Sequence, residues 1–330
     1  MRPFEYVRAE DPAAAVALVT ADPSAEYLAG GTTELDLVLK EGVREPGRLV
    51  DITRLPLRGI VRADDTLRVG ALTTMNELAA DRNVRGRVPL VRDALLAGAS
   101  PQLRDMATIG GNLLQRTRCR YFRDSTMTAC NKRTPGSGCA AVRGPARMHA
   151  ILGASDHCIA LHASDLCVPL VALDAVLDIQ GTDGSRSVPL SQFYVLPGER
   201  PDVENVLRHG ELITRVRIPL LPMGTRSGYL KVRDRASYEF ALVSAAAALL
   251  IQDGTIVRAR LAVGGVGTVP WRAREAEEIL HDAPATGATF RAAAKAALRD
   301  PFTVPGTAFK VQLAERTIAR ILHTVSAVSS

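Results

Sequence analysis

Leu28-Ala29-Gly30-Gly31-Thr32-Thr33-Glu34-Leu35 stands between a short β pattern at residues 26–29 and a helical pattern that runs to about Lys40. Paired glycines between strand and helix let backbone come close to a ligand, and the amides of such a turn suit phosphate. Thr32 and Thr33 add hydroxyl donors. The stretch has neither the Gly-Lys-Ser/Thr of a Walker A loop nor a Gly-x-Gly-x-x-Gly fingerprint, so a plain tight turn stays open. A second loop of the same character, Thr108-Ile109-Gly110-Gly111-Asn112, lies further along. Two such loops point to a diphosphate held from two sides.

Outward from these loops the chain reads as α+β. Asp11 caps a helix with Pro12 at its first position, and the residues from Met1 to Tyr6 run into that helical pattern. Residues 48–52 and 66–69 read as strands, Thr73 or Thr74 caps a helix to Ala80, and 88–97 forms another. From Pro101 to about Ser164 the periodicity is lost among Gly, Pro, Arg, Cys and Asn. An irregular segment of that length in a compact domain is functional or disordered. Alternation returns at 175–179 and 212–218. A boundary at Leu221-Pro222-Met223-Gly224 divides 1–222 from 223–330, and two domains suit a chain of 330 residues. The second part has a strand at 228–235, then strands at 240–251 and 256–263 around the hairpin signal Gln252-Asp253-Gly254-Thr255. Helices follow at about 271–281, 288–299 and 309–326.

Charge and cysteine are concentrated in one place. The formal net charge is +6, yet residues 102–147 alone hold nine basic side chains against Asp105 and Asp124. The rest of the chain is close to neutral, and only 4% of residues are aromatic. That combination speaks against a nucleic-acid surface and for a local anionic group. The five cysteines, at 119, 130, 139, 158 and 167, fall in or just after this segment. Their odd number argues against a disulfide framework, and no close Cys-x-x-Cys pair marks a zinc knuckle. An iron–sulfur cluster, zinc and incidental thiols all remain open on spacing alone. The longest apolar run, 240–251, is too short for a bilayer span of about 20 residues. No apolar core of a signal peptide follows Met1, so a soluble chain without membrane insertion is expected.

Leu28–Leu35, Ala107-Thr-Ile-Gly-Gly-Asn-Leu-Leu and Ser164-Asp-Leu, in this order, resemble the FAD-binding subunits of the molybdenum hydroxylase (xanthine dehydrogenase) family. The similarity covers nearly the whole chain. Cys119-Arg-Tyr-Phe-Arg, the run from Cys130 to Cys139 and His149-Ala-Ile-Leu-Gly-Ala-Ser-Asp-His-Cys158 are similar to a narrower branch. Its members are FAD subunits of bacterial three-subunit aldehyde oxidoreductases of the periplasmic type, with an additional [4Fe–4S] cluster.

The resemblance implies a two-part FAD-binding domain of the vanillyl-alcohol-oxidase-like (PCMH) type and an α+β C-terminal domain. It implies FAD held by Leu28, Ala29, Gly30, Gly31, Thr32, Thr33, Glu34 and Leu35 at the pyrophosphate, and by Thr108, Gly110, Gly111 and Asn112. Ser164 and Asp165 would bond the ribityl or phosphate region, and Lys231 would stand near the isoalloxazine. It further implies a cluster on Cys119, Cys130, Cys139 and Cys158 in a loop at about 115–160, with Cys167 packing as a small hydrophobe. The partners implied are a [2Fe–2S] subunit and a molybdenum-cofactor subunit. Aldehyde would be oxidised to carboxylate at molybdenum, and electrons would reach this subunit's FAD through the [2Fe–2S] clusters. The expected compartment is the cytoplasm, or the periplasm by co-export with a signal-bearing partner. Relatives acting on purines or acyl-CoA, and a zinc-stabilised binding protein, are the alternatives.

Overall fold

The apolar patterns sort into three sheets in a computed structural model that describes residues 3–40 and 42–327. The first sheet is parallel: β1 (Glu5–Arg8), β2 (Ala25–Leu28) and β3 (Arg48–Asp51), in the order β1-β3-β2. The helix Pro12–Thr20 connects β1 to β2, and the Asp11 carboxylate accepts from the Ala14 amide at 2.8 Å. Its Ala15, Val16 and Val19 bury against Val50 and Ile52. β1 corrects the helical reading of the first residues. A four-residue, largely exposed strand has no alternation to detect, and it exists because β3 pairs with it. Met1 and Arg2, part of that reading, lie outside the described residues.

The second sheet is antiparallel. It contains β4 (Ile60–Ala63), β5 (Thr66–Gly70), β6 (Val176–Gly181), β7 (Gly184–Pro189) and β8 (Leu212–Pro219), in the order β4-β5-β8-β6-β7. Leu67, Leu177, Val216 and Ile218 are fully buried there, in one core with the helices Met75–Ala80, Pro89–Ala97 and Cys167–Ala172. Burial of an aliphatic side chain of this size contributes about 1.5–3 kcal/mol. Thr74, not Thr73, caps the first of these helices in a reciprocal box with Glu77. The stretch read as patternless holds the helices Pro101–Met106, Ile109–Leu113 and Arg120–Arg123. One or two turns are too short to show a helical period.

The third sheet has β9 (Arg226–Val232), β10 (Val243–Gln252), β11 (Thr255–Gly264) and β12 (Trp271–Arg272) in the order β12-β11-β10-β9, with β13 (Ala283–Pro284) also on β11. Gln252 stands opposite Thr255, and Asp253 and Gly254 between them have φ of 48° and 77°. Two left-handed residues are what a two-residue hairpin loop requires. Successive residues of β10 face opposite ways. Val243, Ala245, Ala247 and Leu249 pack with the helices Arg274–Leu280, Gly287–Ala296 and Phe309–Ala327, whereas Ala246 and Ala248 join the core of the second sheet. That double burial explains the unbroken apolar run. Among the described residues no helix is long and apolar enough to cross a membrane.

Candidate functional site: a cofactor cavity and a cysteine pocket

The two glycine loops meet in space. A Cβ on Gly30 would lie 2.0 Å from the carbonyl oxygen of Met106, so no side chain fits between the loops. Gly31 has a φ of 67°, in the left-handed region that favours glycine. Beyond it the chain turns as a π-helical segment, Asp36–Lys40, rather than the regular helix expected. In the second loop Thr108 Oγ1 accepts from the Gly111 amide at 3.2 Å, and the Gly110 amide donates to the Ala71 carbonyl at 2.8 Å. The loop is thereby fixed just past the end of β5.

A cavity of about 590 Å³ opens between them, a volume ordinary for a cofactor site. Ala29, Gly30, Gly31, Thr32, Thr33 and Glu34 line it from one side, Thr108, Gly110, Gly111 and Asn112 from the other, with Asp165 and Lys231 between. Leu28, Leu35 and Ser164 are not on its wall. Ser164 instead donates to Asn112 Oδ1 at 2.6 Å and so orients that amide. Lys231 is not a free cation. Its Nζ donates to Asp165 at 2.7 Å and to the Ala97 carbonyl at 3.2 Å, and Tyr229 donates to the other Asp165 oxygen at 2.6 Å. The Lys231 and Asp165 side chains are only 4% and 10% exposed, so this is a buried ion pair joining the two domains.

Sequence reasoning missed Glu26, Arg44, Arg116, Arg118 and Phe240, which also line the cavity. The basic segment signalled Arg116 and Arg118; nothing local marks Glu26 or Arg44, which reach the wall from β2 and from the approach to β3. Arg44 donates to Glu26 at 2.6 Å and to Glu34 at 3.2 Å. Arg118 pairs with Asp36 at 3.2 Å and lies over the Phe240 ring. Burial, and then the contact with Glu26, push the Glu34 carboxyl up to about 8, against the pull of Arg44 and Arg116. Glycine-cleared backbone, hydroxyl donors and guanidinium groups around one space fit a dinucleotide with its diphosphate.

The second assembly is the cysteine pocket. Cys119, Cys130, Cys139 and Cys158 are free thiols. Cys130 and Cys139 face each other across an isolated antiparallel bridge, closed by Asn131 N–H to Gly138 O at 2.7 Å. The Asn131 side chain donates to the His157 carbonyl at 3.0 Å, which ties this hairpin to the turn carrying Cys158. Cys119 feels the charge of Cys130 and Cys158, and Cys158 that of Cys130 and Cys139. Cys119 packs in one small cluster with Cys139 and in another with Cys130, so these thiols share one region of the fold. Burial pushes the Cys119 thiol up to about 12, and Lys132 acts on Cys158 in the opposite sense. His149 Nε2 lies 3.2 Å from Cys119 Sγ. His149 and His162 are both pushed down to about 4 by burial. Cys167 stands apart, fully buried, with its sulfur 3.0 Å from the Tyr194 hydroxyl.

Among the described residues, no three His, Cys, Asp or Glu side chains are grouped tightly enough to hold one metal ion. A polynuclear cluster takes its thiolates around several irons instead of one ion. Four thiols outside any disulfide, with Lys132 acting on Cys158, have the donor chemistry of such a group.

Fold and cavity together define a two-part dinucleotide-cofactor domain carrying a thiol-rich loop and a second α+β domain. Residues 2–221 match the FAD binding domain in molybdopterin dehydrogenase, and residues 228–325 match the CO dehydrogenase flavoprotein C-terminal domain. The chain belongs to the FAD-binding subunits of the molybdenum hydroxylase family, and is an oxidoreductase subunit with a PCMH-type domain. The aldehyde oxidoreductase FAD-binding subunit PaoB of Escherichia coli K12 is 45% identical over 325 residues, 98% of each chain. The 6-hydroxypseudooxynicotine dehydrogenase complex subunit alpha of Paenarthrobacter nicotinovorans is 31% identical, over 97% of this chain and 95% of its own. Among solved structures, a carbon monoxide dehydrogenase from Hydrogenophaga pseudoflava that lacks the Mo-pyranopterin moiety superposes with a TM-score of 0.77. It covers 99% of both chains at 26% identity.

Proposed function

We propose that this chain is the FAD- and [4Fe–4S]-carrying electron-transfer subunit of a molybdenum-dependent aldehyde oxidoreductase. The observation that carries the reading is the 45% identity, over both domains, to an aldehyde oxidoreductase FAD-binding subunit, joined to a cavity built from both glycine loops. The division falls at about residue 222. Bound in that cavity, FAD would supply electron acceptance, which is the chemistry of the cofactor and not of the protein. The chain's residues hold and orient it. Gly30, Gly31, Thr32, Thr33, Thr108, Gly110, Gly111 and Asn112 would receive the dinucleotide, Leu28, Leu35 and Ser164 would support that wall from behind, and the Lys231–Asp165 pair would fix the domain contact beside it. Cys119, Cys130, Cys139 and Cys158 would hold the cluster, with the His149 ring against Cys119.

The partners are a [2Fe–2S] subunit and a molybdenum-cofactor subunit, where aldehyde becomes carboxylate. That two similar proteins are an FAD-binding subunit and a subunit of a dehydrogenase complex supports a role inside a larger assembly. Extraction of the purified chain tests the reading. Released flavin is expected to be FAD, accompanied by four irons and four acid-labile sulfides per chain and no oxidation of aldehyde by the chain alone. FMN in place of FAD, zinc in place of iron, or aldehyde oxidation by the isolated chain overturns the corresponding part.

A further inference from the structure

Two carboxyl oxygens buried at the cavity wall, Glu26 Oε2 and Glu34 Oε1, have no hydrogen-bond donor among the described residues. Glu26 projects from β2, and Glu34 comes one turn beyond the glycine loop. Their other oxygens are bridged by Arg44, at 2.6 Å and 3.2 Å. A single guanidinium that holds both carboxyls sets them side by side, each with its other oxygen left without a donor. An ionised carboxylate only accepts, so two of them can share a hydrogen bond only if a proton lies between. One guanidinium cannot neutralise both. The next cation facing Glu34, Arg116, is already paired with Glu204, which Lys132 also holds at 2.8 Å. Arg118, also on the wall, is paired with Asp36.

We infer that the neighbouring Glu26 and Glu34 carboxyls hold one proton between them, and that the cavity takes up its dinucleotide in this protonated form. The inference rests on the FAD reading and deepens it. The reason is electrostatic. Each phosphate of a dinucleotide adds a negative charge to a wall that already holds two carboxyls. Losing the shared proton would put like charges together in a partly buried space, where their repulsion is weakly screened. By linkage, a ligand that favours the protonated form binds more tightly where that form persists. Burial and contact with Glu26 place the Glu34 transition at about 8, so affinity is level below that pH and declines above it. The decline is limited to about tenfold per pH unit, because one proton is involved.

The test uses the full chain stripped of flavin, with FAD binding followed by flavin fluorescence from about pH 6 to about pH 9. Wild-type affinity is expected to stay flat to about pH 8 and then fall, with proton uptake detected calorimetrically in buffers of different ionisation enthalpy. Glu34→Gln cannot lose a proton, so its profile flattens and at the highest pH it binds FAD more tightly than wild type. Damage to the fold cannot produce that gain. Glu26→Gln serves as the second variant and flattens the profile in the same way. A flat wild-type profile without proton uptake overturns the inference, as does a slope that survives in both variants. Absence of FAD binding at every pH would instead refute the FAD reading.

Discussion

Cys167 and the other four cysteines differ in what their sulfurs touch. Cys167 sits in the core at 0% exposure against the Tyr194 hydroxyl, whereas Cys119, Cys130, Cys139 and Cys158 lie in the loop segment, Cys130 and Cys139 across one backbone bridge and Cys119 packed in clusters with each of them. Replacing any of the four by serine removes a soft thiolate that iron prefers. Each such variant is expected to lose most of its iron and to be cut faster by protease within 115–160. If the proposed cluster rests on the other four, Cys167→Ser is expected to leave the iron content unchanged. It costs at most about 1–3 kcal/mol, because the new hydroxyl has Tyr194 as a partner. Iron per chain and proteolysis across the five variants check this; iron loss confined to Cys167→Ser would invert the ligand choice. The burial of Cys167 was readable beforehand, since it opens an apolar run. Partners distant in sequence were not readable. Nothing near Lys231 announces Asp165, and nothing near Glu34 announces Arg44.

The segments with strong local chemistry are those that the sequence showed well. The Asp11 cap, the Thr74 box and the Asp253-Gly254 turn each depend on a few neighbouring residues. β1 and the short helices of 101–123 depend on distant pairing and packing, so their residues carry no period. The approach of the first glycine loop to the second is a case between the two. The sequence shows both loops, but only the fold shows that Gly30 lies against Met106. Gly30→Ala would place a methyl 2.0 Å from that carbonyl oxygen and force the loops apart, an overpacking cost of about 1–3 kcal/mol. The expected result is a folded chain with most of its FAD lost and a lowered Tm. FAD content equal to wild type would show that the cavity does not need the two loops in contact.

Across the whole molecule, the second domain is fastened to the first by buried charge as well as by the shared alanines of β10. Arg272 donates to the carbonyls of Val171 and Ala172, each at 2.7 Å, and pairs with Asp174 and Glu277. Lys310, at the start of the helix Phe309–Ala327, is fully buried and donates to the carbonyls of His149 and Gly265 at 2.9 Å and 2.8 Å. The C-terminal helix is thus tied to the segment that presents Cys158 and places His149 beside Cys119. Burial, and then nearby Arg147, push Lys310 down to about 7 from 10.5. Between those values the unfolded chain holds a proton that the native chain has released, so this residue makes stability rise with pH across that window. The slope approaches about 1.4 kcal/mol per pH unit. Buried thiols with raised values act in the opposite sense at the alkaline end, so the measurement is a difference. In urea unfolding of wild type and Lys310→Met, the stability gap should change in favour of wild type from about pH 7 to about pH 10. A gap independent of pH would mean that Lys310 keeps its proton and holds the cysteine segment as a full cation.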